Sequence, residues 1–478
     1  MNVGRFVAGL SVCISLLALA PAAGAQPIRT GVFDPAKFPK AATQQTAFDQ
    51  VQATGSTFVR LSLYWRSIAP QDRPSGFDAE NPASSGYYWN WFDDQVRLAV
   101  ARGLEPIAEI VFAPRWASAG DANGIVRPEP AEFGRFARAA AIRYSGTYVP
   151  SPGAAPLPRI RFWQAWGEPN RDYFLLPQYE GGRIVSALRY RSMLYAFAAG
   201  VHGVHESNRV VAGGLAPLGK KGKPAPLAFM RQLLCVTRSE GRSCDLRVRP
   251  VPVDIWSHHP YTSGGPTHHA LGRDDVAIGD LPEMRALLRK AIRLGHIRSH
   301  GPVPFWVTEF SWDTRPPDPQ GLASWLHARW TSEALYRMWR SGVSLVIWYR
   351  IQDEPLSQSM AQSGFFTTQG AAKRSLKAFR FPLVAFRRPG AVYVWGRTPY
   401  SLTGRVAVEA KIGRAWRQLA VLRAGSDGVF RQTLRTRARV SAVRGRLLGA
   451  PDLTLPFSLT PVRDRFVNPF GCGGVIAC

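Results

Sequence analysis

The chain is poor in cysteine, lysine and acid, and each shortage narrows the reading. Only five cysteines occur in 478 residues. None stands in Cys-x-x-Cys spacing, which makes a zinc site the weaker reading of them. Only nine of the 60 basic residues are lysine, and 33 acids leave a formal net charge of +27. A field of that sign attracts anionic glycans, envelope polymers or nucleic acid. The excess, however, is arginine spread along the whole chain without basic runs, and no nucleic-acid motif accompanies it. It is read as compositional bias, with no nucleic-acid partner expected. No Gly-x-Gly-x-x-Gly follows the first apolar strand, which argues against a dinucleotide-binding sheet. Beyond the N-terminus no apolar run is long enough to span a bilayer, and no repeat of solenoid period is evident.

At the N-terminus, Arg5 precedes an apolar run from Val12 to Ala20, and Ala23-Gly24-Ala25 offers a small-residue cleavage site before Gln26. Residues 1–25 are read as a signal peptide, giving a secreted or envelope-associated protein with no integral span after cleavage. Cys13 falls within that segment. Cys235, Cys244, Cys472 and Cys478 are left, an even number that suggests disulfides in an exported chain. Four cysteines allow three pairings, and the short loops Cys235–Cys244 and Cys472–Cys478 are the expected ones.

From residue 26 to about 380, short apolar strands alternate with amphipathic helices. Eight strands are expected: 30–33, 58–63, 105–111, 159–165, 209–213, 253–257, 304–309 and 344–349. Between them, Phe92, Val96, Ala99 and Val100 form one helical face that stops at Gly103. Met284, Leu287, Leu288, Ala291 and Ile292 form another, opened by Asp280 and Glu283 as a capping box and closed by Gly295. Eight such units close a (β/α)8 TIM barrel. After residue 380, runs at 391–395, 405–411, 416–422 and 429–434 are separated by turn residues, which predicts a small β-sandwich over 381–478 with a disulfide-tethered tail.

Functional groups of such barrels sit at the C-terminal strand ends. The fourth strand ends Trp-Gln-Ala-Trp-Gly-Glu168-Pro-Asn170, and the seventh runs Phe-Trp-Val-Thr-Glu309-Phe-Ser-Trp312. A carboxylate at the end of an apolar strand is costly unless it is paired or solvated. Two of them on facing strands can flank a glycosidic bond, one protonating the leaving oxygen and the other standing across the anomeric carbon.

These motifs resemble the clan A glycoside hydrolases, above all the cellulase-like families and family 39, over residues 29–380. The resemblance implies that Glu168 is the acid/base and Glu309 the nucleophile of a retaining O-glycosidase that needs neither cofactor nor metal. It implies that Arg60 in Phe-Val-Arg-Leu orients the nucleophile, that Tyr261 in His-His259-Pro-Tyr reaches it, and that Trp348 floors the sugar site. Asn170, His259 and Trp312 are further substrate-binding candidates, and the partner is an oligo- or polysaccharide or a glycoside. One position departs: the clan usually carries Asn directly before the acid/base, bonding the sugar 2-hydroxyl, and this chain has Gly167. That departure keeps open a second reading, a non-catalytic carbohydrate- or envelope-binding barrel.

Overall fold

The computed structural model describes residues 27–237 and 249–467. The expected signal peptide and Cys244, Cys472 and Cys478 therefore lie outside the described residues, while Cys235 is buried at the end of a helix.

Eight parallel strands close a barrel. They are β1 (Arg29–Phe33), β2 (Phe58–Tyr64), β3 (Glu105–Val111), β4 (Phe162–Ala165), β5 (Arg209–Leu215), β6 (Ile255–His258), β7 (Phe305–Phe310) and β8 (Val343–Tyr349). Each pairs with the next, and β8 returns to β1. The principal helices are α1 (Ala41–Ala53), α2 (Asn90–Ala101), α3 (Pro130–Arg143), α4 (Val185–His202), α5 (Pro226–Leu234), α6 (Leu281–Arg293), α7 (Ser324–Arg340) and α8 (Arg374–Arg380). All eight predicted strands are present. The fourth is shorter than expected and begins at Phe162. The helix over 281–293 is present too, but its expected capping box is not. Asp280 turns back instead, accepting the Ala270 and Ala277 amides at 2.8 and 3.0 Å.

Strand alternation sorts side chains between two cores. Phe33, Phe58, Ile107, Phe162, Val211, Ile255, Trp306, Leu345 and Ile347 fill the barrel interior, with every strand contributing. Their neighbours, such as Val59, Ala108, Trp163, Trp256, Val307 and Trp348, belong to the larger core under the helices. Gly31 is required on β1, because a β-carbon there would lie 2.5 Å from Ile347 and 2.7 Å from the Phe58 carbonyl.

Beyond the barrel, β9 (Leu383–Arg388), β10 (Ala391–Arg397) and β13 (Val429–Arg435) form one antiparallel sheet. The other contains β11 (Gly404–Ile412), β12 (Ala415–Ala424), β14 (Val440–Leu447) and the two-residue β15 (Phe457–Ser458). Three of these, β9, β14 and β15, were not expected. The sheets pack on α7, where Tyr336 and Trp339 meet Trp395 at ring distances of 5.5 and 5.7 Å. Buried Arg397 reaches back to the Thr30 hydroxyl at 3.0 Å.

Candidate active site

Two residues further along five of the strands from the interior hydrophobic layer, the filling turns polar. From Phe58, Ile107, Phe162, Ile255 and Trp306, the next inward positions are Arg60, Glu109, Gln164, Ser257 and Thr308, at the C-terminal end of the barrel. All five are buried, so their partners decide what they do.

Arg60 is the hub. Its guanidinium donates to Glu309 Oε2 at 2.8 Å and to the Thr308 carbonyl at 3.0 Å, and on its other side it pairs with Glu109. It lies 4.2 Å over the Phe33 ring. A planar fork between two carboxylates holds both in fixed orientation, which lysine would not do. Burial opposes its charge, but Glu109 and Glu309 outweigh that and raise its pKa. Glu109 also accepts from Gln164 Nε2 at 2.9 Å and from the Ser62 hydroxyl at 3.2 Å. Burial pushes its carboxyl up, against the pull of Arg60.

The register between β7 and β8 shifts between Val307 and Phe310. A bulge of this kind breaks the alternation. Both Thr308 and Glu309 consequently face the mouth, whereas Val307 and Phe310 stay in the outer core. The Tyr261 hydroxyl donates to Glu309 Oε1 at 2.8 Å, so each carboxylate oxygen of Glu309 has its own donor.

After β4 the chain turns sharply, with Trp166 at φ 67° and Glu168 at φ 35° on either side of Gly167. Left-handed backbone at non-glycine residues costs of order 1–3 kcal/mol and persists where surrounding contacts hold it. Here the Trp166 indole donates to the Phe174 carbonyl at 2.9 Å, and the Glu168 amide donates to Gly214 O at 3.2 Å. The Glu168 side chain thereby enters the mouth, where Oε1 meets His259 Nδ1 at 2.9 Å and Oε2 accepts from the Tyr173 hydroxyl at 3.1 Å. Burial is the largest influence on Glu168 and raises its pKa, while Arg171 pulls it down. His259 is pushed down to about 3 by burial and is neutral. Its Nε2 meets the Thr308 hydroxyl at 3.1 Å, so the imidazole joins Glu168 to the residue beside Glu309.

Glu168, Glu309, Arg60, His259 and Tyr261 thus share one hydrogen-bonded cluster. The other three candidates stand elsewhere. Asn170 is fully buried; its amide donates to the Ala216 and Pro224 carbonyls at 3.1 and 3.2 Å and accepts from the Ala216 N–H at 2.9 Å. Every polar atom is committed to the loop after β5, so it is a loop clamp rather than a sugar ligand. Trp312 is a core residue, its indole donating to Gly264 O at 3.1 Å and its ring packed on Phe310 and Trp330. Trp348 points outward, stacked on Phe365 at 5.0 Å and donating to Ser363 O. The aromatic residue that β8 turns inward is Tyr349, half-buried, beside Phe33 at 5.8 Å and within the electrostatic influence of Glu309.

The sequence reading also missed Glu109, Tyr173 and an aromatic wall in which half-buried Tyr64, Phe112 and Phe174 stack at 5.9 and 5.4 Å. Glu109 had a signal: it is a carboxylate in the middle of an apolar strand, the same argument that singled out Glu168 and Glu309.

This cluster stands at the carboxyl ends of the strands of a closed eight-stranded barrel. The fold is one that glycoside hydrolases use. A family 39 glycoside hydrolase from the gut symbiont Bacteroides cellulosilyticus WH2 superposes with a TM-score of 0.55 at 16% identity, over 86% of this chain and 81% of that one. A glucosidase from Croceicoccus marinus gives 0.49 at 15%, over 87% and 82%. The GH53 catalytic domain of Ignisphaera aggregans gives 0.44 at 16%, over 75% and 97%. No protein-family model matches the sequence, and no curated protein does.

Proposed function

We propose that this chain is an exported, retaining O-glycosidase acting by double displacement. The observation that carries the reading is that two glutamates from separate strands meet in one buried network, with opposite surroundings. Glu309 takes a charged donor and a phenol, one on each oxygen, which orients a carboxylate for attack on an anomeric carbon. Glu168 has its acid form favoured by burial and touches only neutral donors, which suits it to protonate a departing oxygen.

In the first half-reaction Glu309 forms the bond to the anomeric carbon as the glycosidic bond breaks, and the proton of Glu168 passes to the leaving oxygen. In the second, water attacks, its proton goes to Glu168, and Glu309 leaves. Neutral His259 serves the first stage. With Nε2–H directed at the Thr308 hydroxyl, its Nδ1 accepts from the acid form of Glu168 and holds that side chain in place.

The non-catalytic reading rested on Gly167. A β-carbon at Gly167 would lie 2.7 Å from Oε1 of Glu109, so local packing gives a reason for glycine there that does not require loss of activity. Export is supported by Arg5, the apolar run to Ala20 and the Ala-Gly-Ala site; among the described residues no helix is long and apolar enough to cross a membrane. The disulfides Cys235–Cys244 and Cys472–Cys478 belong to the same proposal and rest on the even count.

The test is a panel of aryl glycosides. Turnover of one sugar that is abolished in Glu309→Gln supports the enzyme. Sugar binding without turnover by the wild-type protein favours a binding module.

A further inference from the structure

A second cluster lies at the opposite end of the barrel, where the strands begin. His202 closes α4, Asp254 directly precedes β6, and His300 lies in the segment leading to β7. The Nε2 of His202 meets Asp254 Oδ2 at 2.9 Å, and the Nδ1 of His300 meets Oδ1 at 3.0 Å. The three ligand atoms all lie within 4.8 Å of one another. Asp254 does not depend on the histidines for its position, because the Val210 and His300 amides donate to its two oxygens at 2.8 and 3.0 Å. Backbone donors behind a carboxylate are the arrangement that orients a metal ligand.

We propose that His202, Asp254 and His300 form a structural site for a divalent transition metal of the zinc class. Two imidazoles and one carboxylate are a donor set that such ions prefer, and calcium or magnesium, which want several oxygens, do not. The two histidine–aspartate spacings, 2.9 and 3.0 Å, approach the edge of a tetrahedron with bonds of about 2.0–2.2 Å, which is about 3.3–3.6 Å. Binding asks each histidine to turn its ring-nitrogen lone pair, instead of an N–H, toward a shared point, with only small side-chain movement. The two rings already stand edge to face at 4.3 Å. His300 is 37% exposed while Asp254 is 2% exposed, so the site opens on one side, where water completes the coordination. An ion here ties the end of α4, the start of β6 and the approach to β7 at the face of the barrel concerned with stability. It is remote in the fold from Glu168 and Glu309, so this proposal stands or falls separately from the glycosidase reading.

The test is calorimetric titration of the chelator-treated full-length protein with zinc chloride, alongside thermal melts. One equivalent of zinc is expected to bind and raise the Tm. His300→Ala is expected to weaken binding more than about tenfold. His300→Gln, which keeps a hydrogen-bonding side chain beside Asp254, should fold normally and still lose the zinc-dependent rise. His269→Ala, away from the cluster, should retain it. Absence of stoichiometric zinc binding by the wild-type protein, or zinc binding that both His300 variants leave unchanged, would overturn the proposal and reduce the cluster to a hydrogen-bonded clamp.

Discussion

A β-carbon on Gly167 would lie 2.7 Å from Oε1 of Glu109. Real β-carbons essentially never come that close, so any side chain at 167 must displace the carboxylate that shares Arg60 with Glu309. The residue before Glu168 and the carboxylate that shares Arg60 with Glu309 are therefore one packed unit. Gly167→Ala is expected to push Glu109 off Arg60 and to lower kcat/KM by about 10–100-fold, the scale of a small misplacement in a catalytic constellation. Glu109→Ala combined with Gly167→Ala should cost less than the two single losses together. A double-mutant cycle on kcat/KM reads this, and full additivity would contradict the coupling.

The two glutamates should differ in their response to pH. In the proposed first step Glu168 must be protonated. Because burial raises its pKa, the alkaline fall in kcat/KM is expected at a higher pH than an ordinary carboxylate would give. Glu168→Gln should lose about 10²–10⁴-fold with ordinary leaving groups and flatten that limb. Initial rates from pH 4 to 9 check both statements, and an unchanged alkaline limb in the variant would remove Glu168 from the acid role.

Neighbouring aromatic residues on β8 should separate cleanly. Tyr349→Ala is expected to raise KM or lower kcat while lowering the Tm less than Trp348→Ala does, since its ring is the more exposed of the two. Trp348→Ala should cost about 3–5 kcal/mol of stability, because its ring is packed among Phe310, Phe365 and Phe379. Denaturant melts and kinetics on the two variants settle the register. A purely kinetic defect in the Trp348 variant would reverse the assignment.

Asn170→Ala should likewise act through the fold. Losing its three hydrogen bonds leaves buried backbone groups unpaired, at a cost of about 1–3 kcal/mol for each. A variant that melts normally but binds sugar weakly would return Asn170 to the substrate.

The barrel was legible because short apolar strands alternate with helical segments, two of which end at clear stop signals, Gly103 and Gly295. Glu168 and Glu309 were legible because a carboxylate at the end of an apolar strand needs a partner, whereas Arg60, His259 and Tyr261 were legible only through the resemblance to clan A motifs. Tyr349 was not. β8 reads Val-Ser-Leu-Val-Ile-Trp-Tyr, nearly all apolar, because a parallel strand is buried on both faces and loses the alternation that tells inside from outside. Trp348 was favoured for its resemblance to a motif, and only the register with β1 and β7 shows it facing the helices. Asn170 failed for a different reason: proximity to Glu168 in the chain says nothing about where an amide turns after a proline. Strands β9 and β14 were missed where arginines and glycine interrupt the pattern, as in Val440-Ser-Ala-Val-Arg-Gly-Arg-Leu447. Glu109 was available to the same reasoning as Glu309 and lay unnoticed inside its strand.

The central claim is that Glu309 forms the covalent bond to the sugar. The most direct measurement is peptide mass spectrometry after inactivation with mechanism-based glycosyl probes, choosing the sugar that the aryl glycoside panel selects. The account predicts one equivalent of label on the peptide carrying Glu309, absent in Glu309→Gln and retained in Glu168→Gln. Label on Glu168 or on Glu109, or inversion of configuration in the released sugar, would contradict it.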